Sequence, residues 1–195
     1  CVYRIHDVPS EDKIHDLREN LTGFGYKLAK GQVLRPKLFN QILSKAKGTD
    51  SEETINQLVL RSQSQAEYSI SNVGHFGLAL ARYAHFTSPI RRYSDLLVHR
   101  ALIAASNFDA GKKYSIADQQ LEDICKHISQ TERRAATAER AANDRYLASF
   151  MKDKLGQTFN ATISGVKKFG VFVTIGQENV DALLPTSKLP ADYYR

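Results

Sequence analysis

The sequence has 195 residues, of which 42% are hydrophobic and 25% charged, the ordinary mix of a folded globular protein. The 27 Lys and Arg exceed the 21 Asp and Glu, and the net charge of +6 favours polyanionic partners without proving them. The two distant cysteines exclude a disulfide-rich secreted scaffold and favour a reducing, cytoplasmic compartment, and the absence of a long apolar run or signal peptide argues against a membrane protein.

The first third of the chain predicts one short strand and three helices. Alternating residues at 2–6 indicate the strand, and apolar residues at helical spacing predict helices over about 11–21, 36–46 and 52–66. Ser10 and Pro36 stand where a helix cap and a first helical residue are favoured. We interpret Arg4 and His6 as structural residues.

A further helix is predicted to begin at Ser88, a good N-cap, with Pro89 as its first residue. The apolar residues that follow recur at helical spacing and predict one buried face. They are Ile90, Tyr93, Leu97, Ala101 and Ala104.

Two cations occupy the predicted first turn of this helix, where acidic residues are normally favoured. Arg91 and Arg92 would repel the positive helix end unless an anion binds there, and their guanidinium groups suit a phosphate. The alternative is an ion pair within the helix, from Arg91 or Arg92 to Asp95. From the residues alone, both interpretations remain open.

The stretch from His75 to Arg100, HFGLALARYAHFTSPIRRYSDLLVHR, resembles the signature of the ribonuclease II / ribonuclease R family, and is closer to its ribonuclease R branch. The family consists of processive, Mg²⁺-dependent 3′→5′ exoribonucleases. The resemblance implies that Arg91 reaches the scissile phosphate and that Ser88 and Arg92 help to hold the RNA backbone. It also allows a role near RNA for Arg61, Tyr83 and His85. The alternatives are a solvated or paired surface charge for Arg61, packing on the core for Tyr83 and a structural histidine for His85.

A very long helix is predicted over about 116–155, with an apolar face whose central alanines suggest the close approach of another element. The face comprises Leu121, Ile124, Cys125, Ile128, Ala135, Ala138, Ala142, Tyr146 and Phe150. The segment Thr131-Glu-Arg-Arg-Ala resembles a motif of the same family. Its arginines either form a salt-bridged, solvated face, which we favour, or serve RNA.

After Gly156 the period changes, and strands are predicted over 158–163, 170–175 and 180–184. This segment resembles the opening of an OB-fold RNA-binding domain, and the resemblance implies base stacking by Phe169 and Phe172. Lys167 and Lys168 would attract phosphate. Pro185 departs from the family pattern, and a complete five-stranded barrel needs more strands than remain.

These features predict an α+β chain with two domains. Residues 1–155 would be the helix-rich C-terminal portion of a ribonuclease II-type catalytic domain, and residues 156–195 the first strands of an OB-fold barrel. Because the chain begins with Cys rather than Met, we expect a piece of a longer protein.

The family's aspartate cluster for Mg²⁺ is not found in this sequence. The three histidines checked for metal binding, at 75, 85 and 99, match no short ligand spacing, and we assign no metal ligand. The resemblance therefore predicts a part of a monomeric exoribonuclease that binds single-stranded RNA and is inactive alone, with Mg²⁺ held by an N-terminal part of the same enzyme.

Two other classes of protein remain open. One is a non-catalytic RNA-binding or adaptor protein built on an exonuclease-derived fold. The other is a helix-turn-helix DNA-binding protein, which a capped helix after a turn permits.

Overall fold

The computed structural model describes residues 1–31, 33–106, 116–176 and 180–190. The described residues form two compact units, Cys1–Arg134 and Ala135–Arg195, with the division inside a long helix. None of the described helices is long and apolar enough to cross a membrane. The predicted domain boundary between residues 155 and 156 remains a prediction.

The first unit begins with a two-stranded antiparallel sheet and three helices. Strand β1 (Tyr3–Ile5) pairs with β2 (Glu67–Ser69), in a register that places Arg4 opposite Tyr68. Between the two strands lie the three helices α1 (Glu11–Gly23), α2 (Pro36–Ala46) and α3 (Glu52–Ser62). Strand β1 and the helices confirm the predicted elements, and α2 has the predicted bounds.

The end of α3 differs from the prediction, and β2 was not predicted at all. The helix stops at Ser62 rather than near residue 66, because the chain that follows is drawn to β1. The Ser64 hydroxyl donates to the Val8 carbonyl at 2.7 Å, and the backbone at Glu67 pairs with Ile5. A partner that lies more than 60 residues away in sequence therefore ends the helical pattern.

Two apolar clusters form the core of this unit. The larger cluster joins α1, α2 and α3, and its buried members are Ile14, Leu17, Leu21, Leu28, Phe39, Ile42, Ala46, Ile55 and Val59. The smaller cluster joins the sheet to two later helices, α4 (Tyr93–Ser106) and α5 (Asp118–Lys152), through Val2, Tyr68, Leu97 and Cys125. Burial of such side chains is the main driving force for folding.

Helix α5 extends through 35 residues, and its second half is exposed. The predicted apolar face is buried only in part: Cys125 is buried and Ile128 half-buried, whereas Ala135, Ala138 and Tyr146 are exposed. The prediction that another element closely approaches the central alanines is therefore wrong for the described part of the chain.

The second unit contains a three-stranded antiparallel sheet in the order β3 (Ala161–Lys167), β4 (Gly170–Ile175) and β5 (Val180–Pro185). The register shifts between Ile163 and Gly165, where β3 departs from regular pairing with β4. All three strands were predicted, and the bounds of β4 agree. The first strand was predicted too early, at 158–163, because β3 continues through the register shift as far as Lys167. The helix-rich first unit and this small sheet together confirm the predicted α+β fold class.

Candidate nucleic-acid interface

Pro89–Arg91 forms a turn that precedes α4, rather than the first turn of the helix itself. The Ser88 carbonyl accepts hydrogen bonds from the backbone N–H groups of Arg91 at 3.3 Å and Arg92 at 3.0 Å. Helix α4 begins only at Tyr93, so the predicted start at Pro89 is wrong. Ile90 and Tyr93 are exposed, and the predicted buried face is wrong at these two positions.

Asp95 is responsible for this arrangement. Its side chain is fully buried, and its Oδ2 atom accepts a 2.8 Å hydrogen bond from the backbone N–H of Ser88. The same oxygen lies 3.0 Å from Nη2 of Arg92, and the Ser94 hydroxyl donates to Oδ1 at 3.0 Å. The carboxylate thus joins the start of the turn to the first turn of α4.

The position of Asp95 removes the apparent conflict with the helix dipole. The first turn of α4 carries this acidic residue, as the dipole favours, and the two arginines precede the helix. Our prediction that the cations lie within the first turn is therefore wrong. The alternative ion pair between Arg92 and Asp95 is confirmed, with 24% of the Arg92 side chain exposed.

Charge and hydrogen bonding stabilise the ionised form of Asp95. Burial alone raises the pKa of this carboxyl, but the Ser88 N–H, Arg92 and Ser94 outweigh burial and hold the pKa below its usual value. Because both oxygens of the carboxylate are engaged, Asp95 is a structural anion rather than a free acid or base.

Arg91 differs from Arg92 in having no internal partner. Its side chain is exposed, and it forms no ion pair or hydrogen bond with any residue in the part of the chain that the structure describes. The turn therefore holds Arg92 internally and presents Arg91 to solvent. Such a guanidinium can donate two parallel hydrogen bonds to two oxygens of a phosphate, because its donors form a planar fork.

Tyr83 and His85 lie in a row of rings beside this turn. The Tyr83 ring is 5.3 Å from His75 and 5.5 Å from His85, edge to face in both cases. The Nδ1 atom of His85 is 3.0 Å from the Tyr68 hydroxyl oxygen. Both Tyr83 and His85 are half-buried.

The His85 imidazole is held in its neutral form near pH 7. Burial is the largest cause that lowers its pKa, and the positive charges of Arg92 and Arg4 lower the pKa further. His85 would therefore meet RNA as a neutral hydrogen-bonding or stacking ring rather than as a cation. The role of Tyr83 and His85 near RNA remains a prediction.

His6, His75 and His99 have internal partners. His6 accepts at Nδ1 from Gly77 N–H at 2.9 Å, and its Nε2 lies 2.8 Å from the Ser64 carbonyl. His75 accepts from Leu78 N–H, and His99 lies 2.7 Å from the Phe86 carbonyl. Among the described residues, no group of three or more His, Cys, Asp or Glu converges to hold a metal ion.

The Thr131-Glu-Arg-Arg-Ala segment of α5 contacts the two-stranded sheet of β1 and β2. Arg4 forms two hydrogen bonds to Glu132, at 2.6 and 3.0 Å, and its guanidinium lies over the Tyr68 ring. Arg133 lies 3.2 Å from Glu67. The interpretation of Arg4 as structural and the salt-bridged alternative for Arg133 are therefore confirmed; neither partner was evident from sequence spacing.

In the second unit, the hairpin between β3 and β4 carries the predicted aromatic pair. Lys168 and Phe169 form its turn, and the Phe169 ring is 6.0 Å from Phe172, edge to face. Phe169 is 59% exposed, and Lys167 and Lys168 are exposed beside it. Two rings and two cations thus share one end of the sheet, as a single-strand-binding surface requires.

Gly170 allows this hairpin to close. A Cβ atom at this position would lie 2.7 Å from the Leu184 carbonyl oxygen and 3.2 Å from Cα of Pro185, closer than side chains pack. The absence of a side chain thus lets β4 approach β5 directly behind the aromatic turn.

Two protein families match this chain. The family described as RNB domain matches residues 1–107, and that described as S1 RNA binding domain matches residues 152–195. A curated relative, ribonuclease R of Aquifex aeolicus, is 42% identical over the whole chain. The chain spans 27% of that relative.

Solved structures give the same picture. Ribonuclease R of Mycoplasma genitalium, in complex with ribose-methylated single-stranded RNA, matches 98% of this chain and 30% of its own at 31% identity, with a TM-score of 0.89. A yeast protein described as a pseudonuclease matches 97% of this chain and 24% of its own at 24% identity, with a TM-score of 0.79. The second likeness shows the fold alone.

Proposed function

Since the chain belongs to the ribonuclease II / ribonuclease R family, marked by its RNB domain, we propose that it forms part of a processive 3′→5′ exoribonuclease acting on single-stranded RNA. The observation that carries this proposal is the contrast between two adjacent arginines. Asp95 binds Arg92, whereas Arg91 is exposed at the tip of the same turn.

We assign Arg91 to the scissile phosphate of the RNA. Hydrolysis adds the oxygen of a water molecule to phosphorus and breaks the bond between phosphorus and the 3′ oxygen of the preceding nucleotide. A nucleoside 5′-monophosphate leaves, and the shortened RNA keeps a 3′ hydroxyl. Negative charge grows on the phosphoryl oxygens during this step, and a guanidinium presented to them by an ordered turn lowers the barrier.

Arg92 and Ser88 act in this proposal mainly by fixing the turn. Arg92 retains 24% side-chain exposure and can still approach a neighbouring phosphate while bound to Asp95. The Ser88 backbone, by contrast, is engaged at both its N–H and its carbonyl. Because the turn is ordered, little backbone conformational entropy is lost when Arg91 engages RNA.

The described residues do not fit a Mg²⁺ site. Asp95 is the acidic residue nearest in sequence to Arg91, and its oxygens are already occupied by Ser88, Arg92 and Ser94. No described cluster of metal ligands replaces it. We therefore assign the Mg²⁺ of the complete enzyme to residues outside this chain and expect the chain alone to be inactive.

The β3–β4 hairpin would hold the incoming RNA strand. Bases can stack on Phe169 and Phe172, while Lys167 and Lys168 attract the phosphates. The similarity to an S1 RNA binding domain supports this role. We further infer a monomeric, cytoplasmic enzyme whose N-terminal part supplies the metal site, in line with the free thiols of Cys1 and Cys125.

A non-catalytic RNA-binding protein on the same fold is the second candidate. It remains a candidate because a fold does not by itself specify hydrolysis. An exposed Arg91 would serve either candidate, so the two are separated by whether the complete protein shortens RNA.

The experiment that tests the proposal compares this 195-residue chain with the complete protein that contains it. Each is incubated with 5′-labelled single-stranded RNA, with and without Mg²⁺. We expect a Mg²⁺-dependent ladder of shortened RNA from the complete protein, and binding without products from the chain. A complete protein that binds RNA but never shortens it would favour the non-catalytic candidate. A ladder from the chain, after mass spectrometry excludes contaminating enzyme, would contradict our assignment of the metal site.

A further inference from the structure

The net charge of the chain comes from one stretch of sequence. Between Glu19 and Asp50 lie six cations and no acidic residue; the cations are Lys27, Lys30, Arg35, Lys37, Lys45 and Lys47. The whole chain has 27 Lys and Arg against 21 Asp and Glu, so outside this stretch the remaining 21 cations are balanced by 21 acids. The entire charge of +6 therefore belongs to the turn after α1 and to α2. We call these six residues the α2 basic surface.

The cations of the α2 basic surface are exposed and uncompensated. All six side chains are exposed, and none makes an ion pair or hydrogen bond within the described part of the chain. Elsewhere in the same unit, Arg4, Arg92 and Arg133 are each paired with a carboxylate. Clustered like charges without internal partners raise the local potential and attract a polyanion.

A shallow groove separates two parts of this surface. It has a volume of about 380 Å³ and is open to solvent. Its lining includes the apolar residues Leu28, Leu38 and Ile42 and the cations Lys27 and Lys45. Tyr26 and Gln41 add a ring and an amide to the same lining. A mixed lining of this kind suits a sugar–phosphate chain, whose sugars can pack on apolar groups while its phosphates meet the lysines.

The scaffold beneath the cations is held in place by α1. Arg18 donates from Nε to the Leu28 carbonyl at 2.8 Å, and Leu28 itself is buried in the core. On α2, Lys37, Gln41 and Lys45 recur every four residues, so they lie along one stripe of the helix. The opposite stripe is buried through Phe39 and Ile42. The cations therefore project from fixed backbone.

We propose that the α2 basic surface is a second RNA-binding surface, which contacts phosphates of the same RNA away from Arg91 and the β3–β4 hairpin. This inference rests on the proposed function, because RNA is the polyanion that the rest of the chain is built to hold. Its contribution is electrostatic and independent of sequence, so it adds affinity that falls steeply with salt. In a processive enzyme, such contacts keep the RNA attached between cycles of cleavage.

The test uses two triple variants of the chain with equal net charge. The first changes the surface, Lys27→Gln with Lys37→Gln and Lys45→Gln. The control removes three exposed cations of α5, Lys126→Gln with Arg145→Gln and Lys152→Gln. The dissociation constant for a labelled single-stranded RNA is measured over a range of KCl concentrations, with circular dichroism as the check on folding.

We expect the surface variant to lose about two units from the slope of log affinity against log salt, since each phosphate contact to a single strand contributes roughly 0.7. The α5 control should lose clearly less. Equal losses in the two variants would overturn the proposal, because they would reflect net charge alone.

The same variants are also tested for binding to anionic phospholipid vesicles, since Phe24 and Val33 in the same stretch are exposed and apolar. Loss of vesicle binding in the surface variant, with unchanged RNA binding, would also overturn the proposal.

The outcome is distinguishable from failure of the proposed function. If Phe169→Ala weakens RNA binding while the two triple variants behave alike, only the second surface is rejected. If the unmodified chain binds no RNA, both the surface and the RNA-binding part of the proposed function are rejected.

Discussion

The carboxylate of Asp95 lies 2.8 Å from the backbone nitrogen of Ser88 and so ties the first turn of α4 to a residue seven positions earlier. The same oxygen binds the guanidinium of Arg92. One buried anion therefore fixes both ends of the turn at whose tip Arg91 is exposed. Loss of this anion should affect stability and the proposed chemistry in ways that can be measured separately.

Replacing Asp95 with Asn should destabilise the first unit by about 3 kcal/mol, because breaking a buried ion pair leaves the other charge without compensation. Arg92 would lose its partner, while the Ser88 N–H could still donate to the amide oxygen. Thermal or urea unfolding of the chain measures the change. Lys126→Gln breaks an exposed pair with Glu122 and serves as the control, with little expected loss. An Asp95 variant as stable as the control would contradict this account.

The pH dependence of stability should carry the signature of Asp95. The pKa of this carboxyl is lowered in the folded state, since hydrogen bonds from Ser88, Arg92 and Ser94 outweigh the effect of burial. Its contribution is therefore fully present above the unfolded pKa, near 4, and is lost as pH falls through the folded value. The difference in unfolding free energy between the unmodified chain and Asp95→Asn should shrink below about pH 4. A difference that stays constant between pH 6 and pH 2.5 would refute this assignment.

Replacing Arg91 with Ala in the complete protein should lower turnover by about 10²–10³, the usual effect of removing one charged stabiliser of a transition state. RNA affinity should be nearly unchanged, because most phosphate contacts lie elsewhere. The melting temperature should also hold, since the Arg91 side chain makes no ion pair or hydrogen bond with its described neighbours. Ile90→Ala, at an exposed position beside it, is the matched control. Equal losses of affinity and turnover would argue against a transition-state role.

Replacing Phe169 with Ala should weaken single-strand binding by about 1–3 kcal/mol, the usual value of one base stacked on an aromatic ring. The fold should tolerate the change, because this ring is 59% exposed. Val166→Ala removes an exposed apolar side chain from the same hairpin without removing a ring. Fluorescence anisotropy with a short labelled RNA compares the two variants, and equal binding by both would exclude stacking on Phe169.

Replacing Gly170 with Ala should destabilise the second unit by about 1–3 kcal/mol, because the new methyl group would meet the Leu184 carbonyl at 2.7 Å. Gly165→Ala is the natural control, since its new Cβ would lie 3.8 Å from the Phe172 side chain, an ordinary contact. Hydrogen exchange of the β4 amides measures the loss locally. Equal protection of the β4 amides in the Gly170 and Gly165 variants would show that β4 and β5 can move apart without a loss of stability.

The sequence predicted those elements whose signals are local. Helix α2 has Pro36 at its start and a clear apolar stripe, and the β3–β4 hairpin has β-branched and aromatic residues on both sides of a short turn. The start of α4 was predicted at the wrong residue, because Ser88 and Pro89 are residue types typical of a helix start. The Asp95 side chain, seven residues after Ser88, instead accepts the hydrogen bond of the Ser88 backbone N–H. Strand β2 was missed because its partner β1 lies more than 60 residues earlier.

The roles assigned to Arg91 and Phe169 stay predictions that rest on the family resemblance. The residues alone left a phosphate site and an internal ion pair open for Arg91 and Arg92, and the contrast between the two arginines needed coordinates. The pairing of Arg4 with Glu132 also depends on a contact across 128 residues, for which a single sequence offers no signal.

The three-stranded sheet of the second unit leaves β3 and β5 without an outer partner strand in the described part of the chain. Apolar side chains are exposed on both strands, among them Ile163, Val166 and Leu183. Open strand edges with apolar neighbours tend to pair with the edges of other molecules. A concentrated solution of this chain should therefore self-associate through β3 or β5, and a lysine in place of Val166 should delay that association.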